Sequence, residues 1–405
     1  MVYWVLPEVG GSIPAARGGC ACASVGSKVV FFGGADRLTH AYSDVWVLET
    51  ANGAYQWTQM ATTSDPGLTV HPRSGSSLTA IGSSLYLYGG QDIASGMCHG
   101  DMLCLNTETW HWSRVEVAGG QQPVPRHSHS TGLLAGNCLL VFGGAGENGQ
   151  LNDVWIFNTE QRGWTCPAIT SEKPCAREMH SGTMVDATTM LVYGGRGSNG
   201  RVYDDVAVLD AKEMRWRCLE PTPFARCAHS AVLMPRHEVL AGQPQPADEE
   251  PVPMDTEADG GGSSSRGGGV VLIYGGFSGE SVEGDVFYID PVTTEIEIIR
   301  RGPRPSDSRG IQLPVPRFAH NSDTAPSRDQ FFSQEMIIFG GVNPADDLND
   351  LAVLRCGEEV AGLAALEQGV VIEEISTADG QKLHTKSNTI HHAEGLVELQ
   401  ISEAS

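Results

Sequence analysis

A Gly-Gly pair ends an apolar run six times in this chain. The runs are Val29-Val30-Phe31-Phe32-Gly33-Gly34, Leu85-Tyr86-Leu87-Tyr88-Gly89-Gly90 and Leu139-Leu140-Val141-Phe142-Gly143-Gly144. They continue with Met190-Leu191-Val192-Tyr193-Gly194-Gly195, Val270-Val271-Leu272-Ile273-Tyr274-Gly275-Gly276 and Met336-Ile337-Ile338-Phe339-Gly340-Gly341. Successive pairs stand 56, 54, 51, 81 and 65 residues apart. A period of about fifty with two stretched units defines a repeat fold with insertions.

Other residues keep phase with the diglycine. An Arg precedes each run, at Arg17, Arg73, Arg126, Arg177, Arg226 and Arg317. In the last four units a His follows it by three residues, at His129, His180, His229 and His320; Cys20 and Ser76 stand there in the first two. After each diglycine an Asp opens a second apolar run, at Asp44, Asp101, Asp153, Asp205, Asp285 and Asp350. A Trp then follows in four units, at Trp57, Trp112, Trp164 and Trp216, and Ile298 takes its place in the fifth.

Each unit therefore reads as four short strands, rich in Val, Leu, Ile and aromatics and bounded by turn residues. No segment before residue 357 has a helical period. Four antiparallel strands per repeat predict an all-β chain, a six-bladed β-propeller over residues 1–356. The glycines suit a sharp turn where another backbone passes close. The Trp rings suit the wedge between blades, where burying each contributes about 2–3 kcal/mol. The sixth unit runs out after Leu351-Ala352-Val353-Leu354-Arg355. The chain begins with Tyr3-Trp4-Val5-Leu6, which matches Gln56-Trp57-Thr58 in phase. The first strand is thus expected to complete the sixth blade and remove an open edge. Closure by a strand from about residue 360 is the rival.

This pattern resembles the kelch family. The form Pro125-Arg126-His127-Ser128-His129-Ser130, with Arg226-Cys227-Ala228-His229-Ser230, is similar to the cytosolic subgroup of Rab-GTPase effectors with kelch motifs and host-cell-factor-like proteins. The resemblance implies a non-enzymatic module that binds a partner protein through one loop face. It implies an adaptor or effector, with vesicle trafficking as one setting. The alternatives are a ubiquitin-ligase substrate adaptor, an actin-associated scaffold, and a lyase or epimerase working in the central pocket.

Two regions fall outside the repeat. Residues 236–269 interrupt the fifth unit with a Pro/Gly/Ser-rich, acidic stretch that reads as disordered. Thr256 there sits in an acidic context that suits a kinase, though a solvated loop is the plainer reading. A shorter insert, residues 321–334, occupies the same slot in the sixth unit. Residues 357–405 form an extension with a short helix expected at 358–367, strands at 370–375 and 396–401, and a turn at Asp379-Gly380.

The net charge of −23 opposes a protein that grips nucleic-acid phosphates or an anionic membrane surface. No apolar run is long enough to span a bilayer. The start lacks a signal-peptide pattern, so ten cysteines are expected as thiols in a cytoplasmic or nuclear protein. Gly144-Ala145-Gly146-Glu147-Asn148-Gly149 and Gly195-Arg196-Gly197-Ser198-Asn199-Gly200 fit G-x-G-x-x-G, but neither opens a helix whose N-terminus could hold a pyrophosphate. Close pairs such as Cys20-x-Cys22 lack a partner pair at zinc spacing. Cys166 and Cys218 read as small core residues. The four histidines read as satisfied within their own blades rather than as a metal ring. A copper oxidase of the galactose-oxidase kind needs cross-linked Cys and Tyr, and the Glu-x-x-x-Asp iron pattern of specifier proteins does not occur. No cofactor, metal or catalytic residue is expected, and a monomer is.

A specific site on a pseudo-symmetric ring must break its symmetry. The six arginines recur and so read as blade requirements. The loops after each diglycine differ. Their candidate partner-binding residues are Arg37, His40, Tyr42, Asp92, His99, Arg196, Arg201, Tyr203 and Phe277, with Asp36 and Met97 beside them. Arg, Tyr, Phe and Met are the usual anchors of interfaces.

Overall fold

The structure, a computed structural model, describes residues 2–50, 55–240, 268–293, 296–300, 314–326 and 334–356, with two short strands at 375–376 and 382–383. Six four-stranded antiparallel units follow one another around a ring. Their innermost strands are Ala21–Val25, Ser77–Ile81, Ser130–Leu134, Ser181–Met184, Ser230–Pro235 and Asn321–Pro326. Each contacts the next, and the last contacts the first, so they enclose the axis. Blades one and two carry an extra outer piece: Val9–Gly11 and Thr63–Ser64 pair in parallel with the fourth strands Tyr55–Met60 and His111–Arg114.

The N-terminal strand closes the ring. Val2–Val5 pairs antiparallel with Leu351–Cys356, and Trp4 lies opposite Leu354. The same register sets Trp57 opposite Leu48, Trp112 opposite Leu105, Trp164 opposite Phe157 and Trp216 opposite Leu209. Each Trp then leans on the aromatic residue that precedes the diglycine of the blade before. Trp57 meets Phe339 at 4.9 Å, Trp112 meets Phe32 at 5.3 Å and Trp164 meets Tyr88 at 5.1 Å. Trp216 meets Phe142 and Trp4 meets Tyr274, both at 4.8 Å and steeply tilted. In blade five Ile298 keeps the register, opposite Phe287. Here Phe287, backed by Phe224 at 5.1 Å, is the ring that reaches Tyr193 of blade four, at 5.8 Å.

Every blade is pinned by an ion pair between the two residue types that recur around its diglycine. Arg17–Asp44, Arg73–Asp101, Arg126–Asp153, Arg177–Asp205, Arg226–Asp285 and Arg317–Asp350 lie at 2.5–2.8 Å. All six guanidinium groups are buried. Five of them also donate to the carbonyl of the first glycine of their blade, at 2.8–3.1 Å; Arg226 donates to Ala225 instead. The second glycine of each blade donates its amide to the carbonyl of the next blade's Arg, ending with Gly341 to Arg17. A side chain does not fit at the first glycine of the pair: at Gly89, with φ of 66°, a Cβ would stand 2.5 Å from the Arg126 carbonyl oxygen.

Two residues after each Arg the backbone turns left-handed, at Gly19, Gly75, Ser128, Met179, Ala228 and Ala319, with φ between 52° and 67°. The amide of each donates to the carbonyl of its counterpart in the preceding blade, at 2.7–2.9 Å, and Gly19 donates to Ala319. Six bonds thus form a closed collar around one end of the axis. Four members are not glycine, and each of those costs roughly 1 kcal/mol of backbone strain, which the collar bond and surrounding pins offset.

The insert expected at 236–269 lies between the first strand of blade five, which ends at Pro235, and the second. Arg236–Leu240 is one helical turn and Gly269 opens the second strand of blade five, Gly269–Phe277; residues 241–267 lie outside the described residues. The expected insert at 321–334 is trimmed, because Asn321–Pro326 is the innermost strand of blade six and Gln334 opens its second; 327–333 lie outside the described residues. In the extension, Ile375–Ser376 pairs with Lys382–Leu383. The helix expected at 358–367, the Asp379-Gly380 turn, the strand at 396–401 and Thr256 lie outside the described residues.

Candidate functional site

The collar rims a funnel of about 450 Å³ at the axis. It opens on the face that carries the Arg loops and the loops after the diglycines. Its wall includes the collar residues, the imidazoles of His180, His229 and His320, and Cys20 and Ser76 where two blades lack the imidazole.

Collar amides and carbonyls are bonded to one another, so specificity at the mouth falls to side chains. Two positions in each blade face each other there across a short antiparallel bridge: the residue after the Arg and the residue after the diglycine. The pairs are Gly18/Ala35, Ser74/Gln91, His127/Ala145, Glu178/Arg196, Cys227/Phe277 and Phe318/Val342. These positions are in phase, yet no two blades agree. Blades five and six present an apolar arc, with Phe277 and Phe318 at 6.3 Å. Blade one is nearly bare. Blades two to four present amide, imidazole and charge. Buried Glu178 accepts from Arg196 at 2.9 Å and from Gln150 of blade three at 3.0 Å. His127 lies beside it, and burial holds its imidazole below its usual pKa, with Arg196 acting the same way and Glu178 opposing.

Of the nine residues chosen from the sequence, three hold one repeat position. Tyr42, His99 and Tyr203 each stand two residues before the blade Asp. The Arg17 guanidinium lies over the Tyr42 ring at 3.7 Å and Arg177 over Tyr203 at 4.6 Å. His99 is buried and stacks on His71 at 5.9 Å. Arg37 is a clasp across the ring seam: it donates to Asp347, Ala345 and Asn343 of blade six at 2.9–3.2 Å. Arg196 is held by Glu178. Asp92 shapes its own loop by accepting from Ala94 and Ser95. Asp36 does the same with Leu38 and His40, and the His40 ring lies 4.7 Å from Tyr42. Arg201 and Met97 are exposed, and Phe277 is half-buried in the mouth. Phe318, Val342, Glu178 and His127 also hold these bridge positions and were not singled out from the sequence; their signal was present, as mismatched residues next to a recurrent Arg and Gly-Gly.

The four repeat histidines bond across blades, not within them. His129 meets Ser77, His180 meets Ser130, His229 meets Ser181 and His320 meets Ser230 of the preceding blade, at 2.8–3.0 Å. Burial pushes His129 and His229 down to about 3, with Arg126 and Arg226 adding to the effect, and sends His180 and His320 well below the usual range. They are neutral structural groups. Cys166 and Cys218, expected in the core, are exposed. Gly144–Gly149 forms a small hairpin and the Gly195–Gly200 stretch a turn, so neither Gly-rich match opens a helix. Among the described residues no group of three or more His, Cys, Asp or Glu is placed to hold a metal, and no helix is long and apolar enough to cross a membrane.

Six blades with a diglycine and an Arg–Asp pin, five of them with a Trp wedge, define a kelch β-propeller. The KLHDC2/KLHL20/DRC7 Kelch-repeats domain matches residues 2–138 and 66–242, more than half of the chain, and the chain belongs to the kelch-repeat family. It is 34% identical over 176 residues to the dynein alpha chain of the flagellar outer arm of Chlamydomonas reinhardtii, covering 40% of this chain and 4% of that one. It is 29% identical to host cell factor of Drosophila melanogaster, over 56% of this chain and 17% of the relative. It is 31% identical to Adagio protein 3 of Arabidopsis thaliana, over 59% and 40%. The chain thus spans less than half the length of these relatives. Propellers of this family are mostly non-enzymatic interaction or adaptor modules.

Proposed function

We propose that this chain binds a segment of a partner protein at the collar mouth and serves as an adaptor or effector. The observation that carries the reading is the ring of six in-phase bridge pairs, no two alike, around a funnel whose backbone is already satisfied. A scaffold needs its repeats alike; a recognition surface needs them different. Vesicle trafficking is the setting that the resemblance to the Rab-effector subgroup suggests. Cross-linking mass spectrometry on captured complexes tests the site. Cross-links from the partner should fall on the Arg-loop face. Cross-links confined to the opposite face, around Lys28 and Lys212, would overturn the reading.

A further inference from the structure

The repeat histidines report where the ring is incomplete. At Gly89, Gly143, Gly194 and Gly275 the next blade's imidazole carbon lies 2.8–3.2 Å from where a Cβ would stand. At Gly33 and Gly340 no imidazole is there, because the next blades carry Ser76 and Cys20. The bonding logic agrees. Each His follows a blade whose innermost strand opens with Ser. Blades six and one open instead with Asn321 and Ala21, so a His after them would find no matching hydroxyl. Two adjacent junctions, six–one and one–two, therefore lack an imidazole each. Cys20 and Ser76, which stand in the place of the imidazole at these two junctions, both line the funnel. Ser76 Oγ is enclosed there with no hydrogen-bond partner among the described residues.

Two further features fall on this sector. Leu38, Ile93 and Met97, in the loops of blades one and two, are 83%, 37% and 56% exposed. Among the described residues, the loops after the diglycines of blades six, one and two carry Asp36, Asp92, Asp346 and Asp347 against Arg37 alone. Arg37 is already taken by Asp347 and two carbonyls. The corresponding loops of blades three and four are balanced, with Glu147 and Asp204 against Arg196 and Arg201, and the loop of blade five adds Glu280 and Glu283 on the side of blade six.

We infer that blades six, one and two form the specificity end of the mouth. It takes a basic segment of a partner protein that inserts one large aliphatic or aromatic side chain beside Cys20 and Ser76, with Lys or Arg against the rim aspartates. Apolar contact with Ile93 and Met97 supplies area, and the carboxylates supply steering and register. This rests on the reading of the mouth as a protein-binding site.

The test is selection of a random twelve-residue display library on the intact chain, followed by anisotropy titration of the enriched peptides. Ala21→Ser with Ser76→His fills one missing volume with the His–Ser pair already used at four other junctions, so thermal stability should hold. The account expects enriched peptides with a large apolar residue next to Lys or Arg, bound at least tenfold more weakly by that double variant. Asp36→Asn with Asp92→Asn keeps both turns and should weaken binding several-fold and flatten its salt dependence; it serves if the filled variant fails to fold. Enriched peptides that bind the filled or neutralised variants as tightly as wild type would overturn this sector while leaving the mouth as the site. A library that yields no binder at the Arg-loop face would overturn both.

Discussion

The amide of Gly19 donates to the carbonyl of Ala319 at 2.8 Å, and this bond joins the first blade to the last at the axis. It is one of several ties across the same seam, with the amide of Gly341 on the Arg17 carbonyl and Tyr55 on Glu335 among the others. Trp4 pairs opposite Leu354 at the outer edge. Arg37 clasps the loop of blade six above. A propeller is only as stable as its seam, because opening it exposes two blade faces at once.

Removing the N-terminal strand should therefore cost more than its length suggests. Trp4→Ala is expected to lose about 3–5 kcal/mol, the range for a buried large aromatic. Deletion of residues 1–8 should lose more, since the third strand of blade six becomes an open edge. Urea unfolding measures both. An unchanged midpoint would contradict closure by this strand.

Arg37 and Arg201 should separate clasp from surface. Arg37→Ala breaks bonds to Asp347, Ala345 and Asn343 and is expected to lower stability by about 1 kcal/mol. Arg201→Ala removes an exposed side chain and should stay within about 0.5 kcal/mol of wild type. Equal effects in thermal melts would mean the clasp does not form.

The pins predict a large penalty for a half-broken pair. Asp153→Asn leaves the buried Arg126 guanidinium without its counter-charge, and about 3–5 kcal/mol should be lost. Burial alone raises the carboxyls of Asp101 and Asp153, but the bonds and charge of Arg73 and Arg126 outweigh it and hold both below the usual value. Their contribution is complete above about pH 4 and is lost as pH falls through the depressed pKa.

The histidines set the earlier acid limit. Folding holds four imidazoles neutral, with His129 and His229 at about 3, while the unfolded chain titrates near 6.5. The unfolded state then binds more protons between those values. Stability is complete above about pH 6.5 and falls as pH drops toward 3, by up to about 1.4 kcal/mol per unit for each His. Denaturant unfolding at pH 7, 6 and 5 reads the slope. His229→Gln should reduce it by about one proton. A flat profile over this range would contradict buried neutral imidazoles.

Much of this fold was legible because its determinants recur. The diglycine, Arg, Asp and Trp keep phase, and Trp4 falls in the vacant place of the sixth unit. The link between Arg17 and Asp44 was not legible, although both residues were, since nothing in their spacing says that a guanidinium reaches across the diglycine turn. The histidines misled for a related reason: each bonds a Ser of the blade before, 48 to 90 residues away in sequence, and nothing local announces that partner. At the candidate site the phase of several residues was not legible from one loop at a time. Tyr42, His99 and Tyr203 looked like features of variable loops, yet they share one position against the blade Arg. Glu178 and Phe318 sit beside the most regular residues of the chain and were passed over, although positions that vary inside a regular frame are where a ring can be specific.

The most direct measurement of the central claim is partner capture by the intact chain compared across its two faces. Phe277→Glu with Phe318→Glu places two charges in the apolar arc of the mouth. Lys28→Glu with Lys212→Glu places two on the opposite face. Both pairs should melt close to wild type, which quantitative mass spectrometry of the bound proteins requires for comparison. The account predicts that the first pair loses the specific partner at least tenfold while the second retains it. Retention by the first and loss by the second would contradict a binding site at the collar mouth.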